Sequence, residues 1–410
     1  MAETRDAVLE EVGPLAERFV AAGFHLYLVG GIVRDLQLGA AIDDLDLDLT
    51  TDARPADIKR LVGPIASAVW TQGERFGTIG CRIDGRPIEI TTHRAEWYDA
   101  ESRKPGVAFG DDVEVDLSRR DFTVNAMAIE VPSGRLIDPF EGRAALEARS
   151  LETPIDPEVS FSDDPLRILR AARFIARYSL VPAEGVFAAA RSLIDRLSIV
   201  SVERIREEYD KLLAASSPSA GLRFLDDVGA VRYMFSEMPG DVFDEVGSIL
   251  DRSPIELLVR RLVTFSHVPS AGREAQLSSL RYSNQERRQI LAVLHGLDIV
   301  ADQLPTTDEM VRRLVLTVGH DDMATLFTLA DLRGVTGTQA VRAAFIDLAA
   351  REDLTDLSPA ITGGDIIREL GVSPGPAVGE AMSALGERRL TDGPASASEE
   401  LDWLRERGVV

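Results

Sequence analysis

The chain has 410 residues, enough for two to four domains at roughly 100–200 residues each. Its 45 basic and 68 acidic residues leave a formal net charge of -23, which excludes nucleic-acid binding through overall positive charge. A hydrophobic content of 45% without an apolar run near the roughly 18 residues of a membrane span excludes a spanning helix, and the single cysteine, Cys81, excludes an internal disulfide or a Cys-rich zinc site.

The first residues, MAETRDAVLEEV, lack the basic start and apolar run of a secretory signal, so a reducing cytoplasm is the expected compartment. A helical stretch around Ala7 to Ala22 precedes a short apolar run, Leu26 to Val29, then Gly30-Gly31 and a second helical pattern from Ile32. The strict alternation from Leu45 to Leu49 predicts a half-buried strand. Thr78 to Ile83 and Pro87 to Thr92 flank Asp84-Gly85, the signature of a tight hairpin. Phe122 to Val131 and Leu136 to Asp138 add candidate strands, and from about Asp163 the periodicity is helical to the end. The pattern predicts an α+β head with a mixed sheet, followed by an all-α remainder.

Several of these segments carry chemistry. Residues two apart on a strand share a face, so Asp46 and Asp48 stand together while the leucines face the core. Paired carboxylates repel unless a cation shares them, and hard oxygen ligands of this kind suit Mg²⁺; a solvated strand face gives the same short pattern. Glu89 alternates out of the core, as a third carboxylate for that site or as a plain surface residue. Gly30 and Gly31 let backbone N–H groups approach a phosphate at a helix start, with Arg34 one turn in and able to reach a triphosphate oxygen. Arg119-Arg120-Asp121, with Asn125, can make charge-assisted phosphate or ribose contacts, or a salt-bridged loop. Asp163 or Asp164 before Pro165 starts a helix on which Arg167, Arg170 and Arg173 share one face. An aspartate accepts from a cytosine or adenine amino group and an arginine donates to base acceptors, so Asp164 and Arg167 can read a base edge.

These segments, in this order, resemble the class II tRNA nucleotidyltransferase and bacterial poly(A) polymerase family, of the polymerase-β-like nucleotidyltransferase superfamily. The motifs are Leu28 to Asp35, Asp46 to Ala53, Asp116 to Ala128, Ser162 to Phe174 and Ser201 to Leu213, and the match spans roughly residues 24–235. The resemblance implies addition of CCA from CTP and ATP to a tRNA 3′ end without a template strand. Gly31 and Arg34 would contact the nucleotide's phosphates, and Asp46 and Asp48 would bind two Mg²⁺. Arg120, Asp121 and Asn125 would contact sugar and triphosphate, Asp164 and Arg167 would select C or A, and Arg170 and Arg173 would support them. It also implies a catalytic head over residues 1–150, a helical neck over 151–235 for base selection and RNA binding, and a helical body and tail over 236–410 that holds tRNA.

Three departures accompany the resemblance. Asp163 stands where the family usually has Glu, and His93 where it usually has Phe or Tyr. Third, the segment around Gly240 to Glu245 resembles the start of a His-Asp phosphohydrolase domain with its histidines missing; a degenerate helical region is expected there. The full-length stretch Arg94 to Asp116 favours complete CCA addition over CC-only addition, with A-only and poly(A) addition as further alternatives. A non-catalytic RNA-binding descendant would have no need of Asp46 and Asp48. The acidity is uneven, with 17 basic and 30 acidic residues in 1–160, 18 and 19 in 161–300, and 10 and 19 in 301–410. RNA would therefore meet a confined arginine surface, with salt-dependent binding.

Overall fold

A computed structural model of the chain describes residues 2–41, 46–97, 106–239 and 242–408. Leu45, Lys104, Gly240, Asp241 and the middle of the Arg94–Asp116 stretch lie outside these residues. Two compact units form, one of residues 1–212 with 220–233, the other of 213–219 with 234–410.

The first unit opens with α1 (Ala2–Ala21), β1 (Leu26–Val29), α2 (Gly31–Gln37), β2 (Leu47–Thr51), α3 (Pro55–Val62), β3 (Ala68–Trp70), β4 (Thr78–Ile83) and β5 (Arg86–Thr92). A separate small hairpin follows, β6 (Arg94–Trp97) with β7 (Gly106–Phe109), then α4 (Val113–Ser118), β8 (Ala128–Val131), β9 (Leu136–Ile137) and α5 (Gly142–Ala148). The main sheet has the order β3-β4-β5-β2-β1-β8-β9. Only β2 and β5 run parallel, so the sheet is mixed as expected.

Alternation along the strands decides the two faces. Leu26 and Leu28, Leu47 and Leu49, Ile79 and Cys81, and Ile88 and Ile90 join one core with Val12, Leu15 and Phe19 of α1, Val33 of α2 and Ile58 of α3. The intervening residues, Tyr27 and Val29 on β1, Asp48 on β2 and Glu89 on β5, therefore point to the opposite face. Three helices cover one side of the sheet, and the other is left for chemistry. The β4–β5 hairpin turns where expected, with Asp84 at φ 50° and Gly85 at φ 83°, the two positive angles of a primed turn.

Two expected strands need correction. The alternating strand is β2, two residues later than its pattern suggests, so Asp46 stands ahead of it and is not placed by strand geometry. Phe122 to Val131 is not one strand: Thr123–Asn125 forms a 3₁₀ turn, and only Ala128–Val131 is extended. There the side-chain amide of Asn125 bonds to Asp121, a local alternative to sheet pairing.

The rest of the unit contains β10 (Ser150–Leu151), α6 (Pro157–Asp163), α7 (Leu166–Tyr178), β11 (Val181–Pro182), α8 (Glu184–Ser192), α9 (Val202–Leu213) and α10 (Pro218–Asp227). Helix begins earlier than the Asp163 boundary read from sequence. Asp156 caps α6 by accepting from Glu158 and Val159 N–H groups, with Pro157 at its first position. Asp164-Pro165 then breaks the chain between α6 and α7. The second unit is helical throughout, from α11 (Phe243–Arg252) through α12 (Leu257–Phe265), α13 (Arg273–Ser279), α14 (Asn284–Gln303), α15 (Asp308–Val318), α16 (Met323–Leu332), α17 (Thr338–Ala349), α18 (Gly363–Leu370) and α19 (Pro376–Asp392) to α20 (Ala397–Arg407). Capping boxes at Ser283/Glu286, Thr362/Asp365 and Ser396/Glu399 start α14, α18 and α20. His267 is held by the Val263 carbonyl on one ring nitrogen and lies against Arg333 and Glu245 on the other. Burial lowers its pKa. His320 packs at a tilt against Phe345.

Candidate active site

In the first unit a cleft of about 340 Å³ opens where the free face of the sheet meets α7 and α9. Gly30, Gly31 and Asp48 line it from the sheet, Arg120, Asp121 and Asn125 from the following loop, and Asp164, Leu166, Arg167, Arg170 and Arg204 from the helices. Nine of the thirteen residues singled out in the sequence thus share one concavity. Asp46, Glu89, Arg34 and Arg173 do not line it. Leu166 and Arg204 do, and although both fall inside motif segments, neither is singled out there.

Asp48, which lines the cleft, is the register partner of Glu89 on the parallel strands β2 and β5. The Asp48 carboxyl is pushed up to about 6, first by loss of solvent, then by the negative charge of Glu89; Arg120 offsets part of this and Asp46 adds to it. An electrostatic strain of this sign is what a cation relieves. Among the described residues no three His, Cys, Asp or Glu side chains form a cage that could hold a metal alone. The donors are nevertheless all hard carboxylate oxygens, and a Mg²⁺ held by one or two of them with substrate phosphates fits this set.

Gly30 has φ 74°, and a Cβ there would lie 2.7 Å from Arg120 Nη1. The glycine is needed for its backbone angle, and the tip of the flexible Arg120 side chain packs against it. Arg120 is held from behind by Asp116 at 3.2 Å. Asp116 also accepts from Arg119 and from the Arg94 backbone N–H, at the base of the small hairpin. Burial alone would raise the Asp116 carboxyl, but Arg120 and Arg119 hold it well below the usual range.

The arginines that share one face of α7 are engaged within the protein. Arg167 is buried, donating to Ser160 Oγ at 2.6 Å and to the Arg119 carbonyl at 2.5 Å. Arg170 makes a two-pronged contact to Asp121 Oδ2 at 2.9 and 2.5 Å. Arg173 bonds Glu208 of α9 at 2.8 Å, and Arg170 lies 3.7 Å from the same carboxylate. Asp121 in turn accepts from Asn125 at 2.9 Å; burial would raise its carboxyl, but Arg170 and Asn125 keep it well below the usual range. Asn125 accepts from Arg34 Nη1 at 2.5 Å. Arg34 is paired with Asp35 through both carboxylate oxygens and stacked over Tyr178, 4.4 Å from the ring centre. A continuous chain, Glu208–Arg170–Asp121–Asn125–Arg34–Asp35, therefore runs along the cleft wall. It fixes the side chains before any ligand arrives.

Asp164 sits at the α6–α7 break. Its Oδ1 accepts the Leu166 N–H at 3.1 Å, and its Oδ2 accepts from Arg204 at 3.1 Å. His93 is buried, bonded to Thr50 Oγ1 at 2.9 Å and near Tyr27; burial lowers its pKa. That placement is structural.

Two family models match this chain: the poly A polymerase head domain over residues 26–152, and the probable RNA and SrmB-binding site of polymerase A over residues 182–240. The CCA-adding enzyme of Limosilactobacillus fermentum is 32% identical over 393 residues, 93% of each chain, and that of Streptococcus gordonii 31% over 399 residues, 95% of each. Among solved structures, the Bacillus stearothermophilus CCA-adding enzyme in complex with CTP superposes with a TM-score of 0.78 at 25% identity over 97% of each chain. The Thermotoga maritima CCA-adding enzyme complexed with tRNA shares the fold at a TM-score of 0.63 and 19% identity, covering 98% of this chain and 95% of its own. The sheet with its carboxylate face, the glycine turn, the arginine-lined cleft and the full-length similarity have one reading: this chain belongs to the CCA-adding enzyme family.

Proposed function

We propose that this chain adds C, C and A to the 3′ end of tRNA from CTP and ATP, releasing pyrophosphate at each step. The observation that carries the reading is the one cleft that Asp48, the Gly30-Gly31 turn, Arg120, Asp164 and Arg167 line together. The glycine turn with Arg120 suits a triphosphate, and Asp164 with Arg167 suits a base edge.

In the mechanism, the tRNA 3′-hydroxyl attacks the α-phosphorus and pyrophosphate leaves. Asp46 and Asp48, with Glu89 beside them, would hold Mg²⁺, which when bound supplies activation of the hydroxyl and charge neutralisation on the leaving pyrophosphate. The backbone N–H groups at Gly30 and Gly31 and the Arg120 guanidinium orient the triphosphate. Asp121 and Asn125 position the sugar, and Arg34 keeps Asn125 in place. Asp164 accepts from the amino group that cytosine and adenine share and uracil and guanine lack there, while Arg167 donates to the neighbouring acceptor. Arg170 and Arg173 hold this wall against Glu208. Residues 1–150 act as the catalytic head, 151–235 as the neck, and 236–410 as the part that holds the tRNA body. No helix among the described residues is long and apolar enough to cross a membrane, and the cytoplasm is the site of action we propose.

The test is incubation of purified protein with tRNA lacking CCA, Mg²⁺, and CTP alone, ATP alone, or both. Two C residues followed by one A is the expected product. A halt after two C residues, or a long A tail on unrelated RNA, would replace complete CCA addition with CC-only or poly(A) synthesis.

A further inference from the structure

Asp164 can serve as a base-edge acceptor only if one of its oxygens points steadily into the cleft. Its Oδ1 is taken up by the first N–H of α7, from Leu166. Only Oδ2 remains, and Arg204 in the first turn of α9 donates to it from across the cleft at 3.1 Å. Arg167 bonds Ser160 through Nη1 and the Arg119 carbonyl through one Nη2 hydrogen, which leaves the second Nη2 hydrogen for a base. Arg204 is about half exposed (53%) against 28% for Asp164, so the pair sits at the cleft mouth where a base would enter.

We propose that Arg204 is a positioning residue for nucleotide selection: it fixes the Asp164 carboxylate as an acceptor aimed at the incoming base. The inference rests on the reading of Asp164 as a base-selecting residue. An aspartate side chain held at both oxygens has one orientation, whereas held at Oδ1 alone it turns about its terminal torsion, which is broad and weakly restrained. A fixed acceptor favours the amino group of cytosine or adenine and repels the carbonyl oxygen of uracil or guanine at the same position. A turning carboxylate does less of both. Arg204 thus acts on selectivity without touching the reacting atoms.

The size of the effect follows from the exposure of the pair. Half-exposed ion pairs shift an equilibrium by roughly two- to fivefold. Arg204→Ala should raise KM for CTP and for ATP by about that factor, leave kcat nearly unchanged, and lower the preference for CTP over UTP by a similar factor. Arg204→Lys should recover part of the preference, since an ammonium restores the charge without the planar geometry. In an Asp164→Asn background Arg204→Ala should have no further effect on selectivity, which isolates the coupling between the two side chains. These quantities are read from single-nucleotide addition to tRNA lacking CCA, with melting temperature followed in parallel. An unchanged CTP-to-UTP preference in Arg204→Ala, or an equal loss with every nucleotide together with a lower melting temperature, would overturn the proposal and leave Arg204 a structural residue. Wild-type protein that adds neither C nor A to tRNA would instead defeat the functional reading itself, so the two failures are distinguishable.

Discussion

Replacing Asp48 with asparagine should abolish nucleotide addition and yet make the metal-free protein more stable. The carboxyl of Asp48 is raised from 3.8 to about 6 in the folded chain, so at neutral pH folding holds a charge where the site disfavours it. A shift of two units corresponds to about 3 kcal/mol. Asp48 loses part of its solvent but keeps an exposed surface at the cleft, and screening reduces the usable figure to about 1 kcal/mol. The sign follows from the raised folded value: the penalty is absent below the unfolded pKa near 4, grows as pH rises from 4 to 6, and is complete above 6. Asp48→Asn should therefore raise the melting temperature of the first unit in EDTA by about 2–4 °C at pH 8 and by roughly half as much at pH 5. Adding Mg²⁺ should raise the wild-type melting temperature and have much less effect on the variant. Differential scanning calorimetry at the two pH values, with and without Mg²⁺, measures all of this. A variant no more stable than wild type at pH 8, or a gain undiminished at pH 5, would refute the electrostatic account of the site.

Gly30→Ala combines a positive φ with a Cβ driven against Arg120, and should cost about 1–2 kcal/mol and raise KM for CTP and ATP alike; unchanged melting and KM would show that the turn relaxes freely. Arg260 is almost fully buried and donates to the carbonyls of Leu213, Ala215 and Pro254. Arg260→Met should destabilise the second unit by about 3–5 kcal/mol in urea denaturation, because those carbonyls lose their donor, and a loss below about 1 kcal/mol would show that water takes its place.

Local signals in the sequence were enough for the glycine turn, the hairpin at Asp84-Gly85 and the long helical remainder, because each rests on backbone preferences of a few adjacent residues. The nine cleft residues were recognisable as chemistry for the same reason: Asp48, Asp121 and Asp164 each sit in a short polar cluster among apolar neighbours. Partners were not legible. Arg170 and Arg173 read as a basic stripe because Glu208 lies some 35 residues away along the chain, and nothing in periodicity links them. Arg34 bonds Asn125, 91 residues distant, a link that no local pattern shows. The shift of the acidic strand to Leu47–Thr51 has a similar origin, since register is set by pairing with β1 and β5. Arg204 left one clue: a cation in the first turn of α9, where the helix dipole disfavours it, four residues before the buried Glu208.

The paired wall of the cleft and Asp48 also differ in their response to acid. The wall's cations are guanidinium groups, which stay protonated under any cellular condition, and Asp121 is held ionised far below neutrality. Asp48 is different: with no metal bound, its carboxyl gains a proton near pH 6. A proton and a cation therefore compete for the same carboxylate, so acidification should weaken metal capture while the paired wall keeps its form.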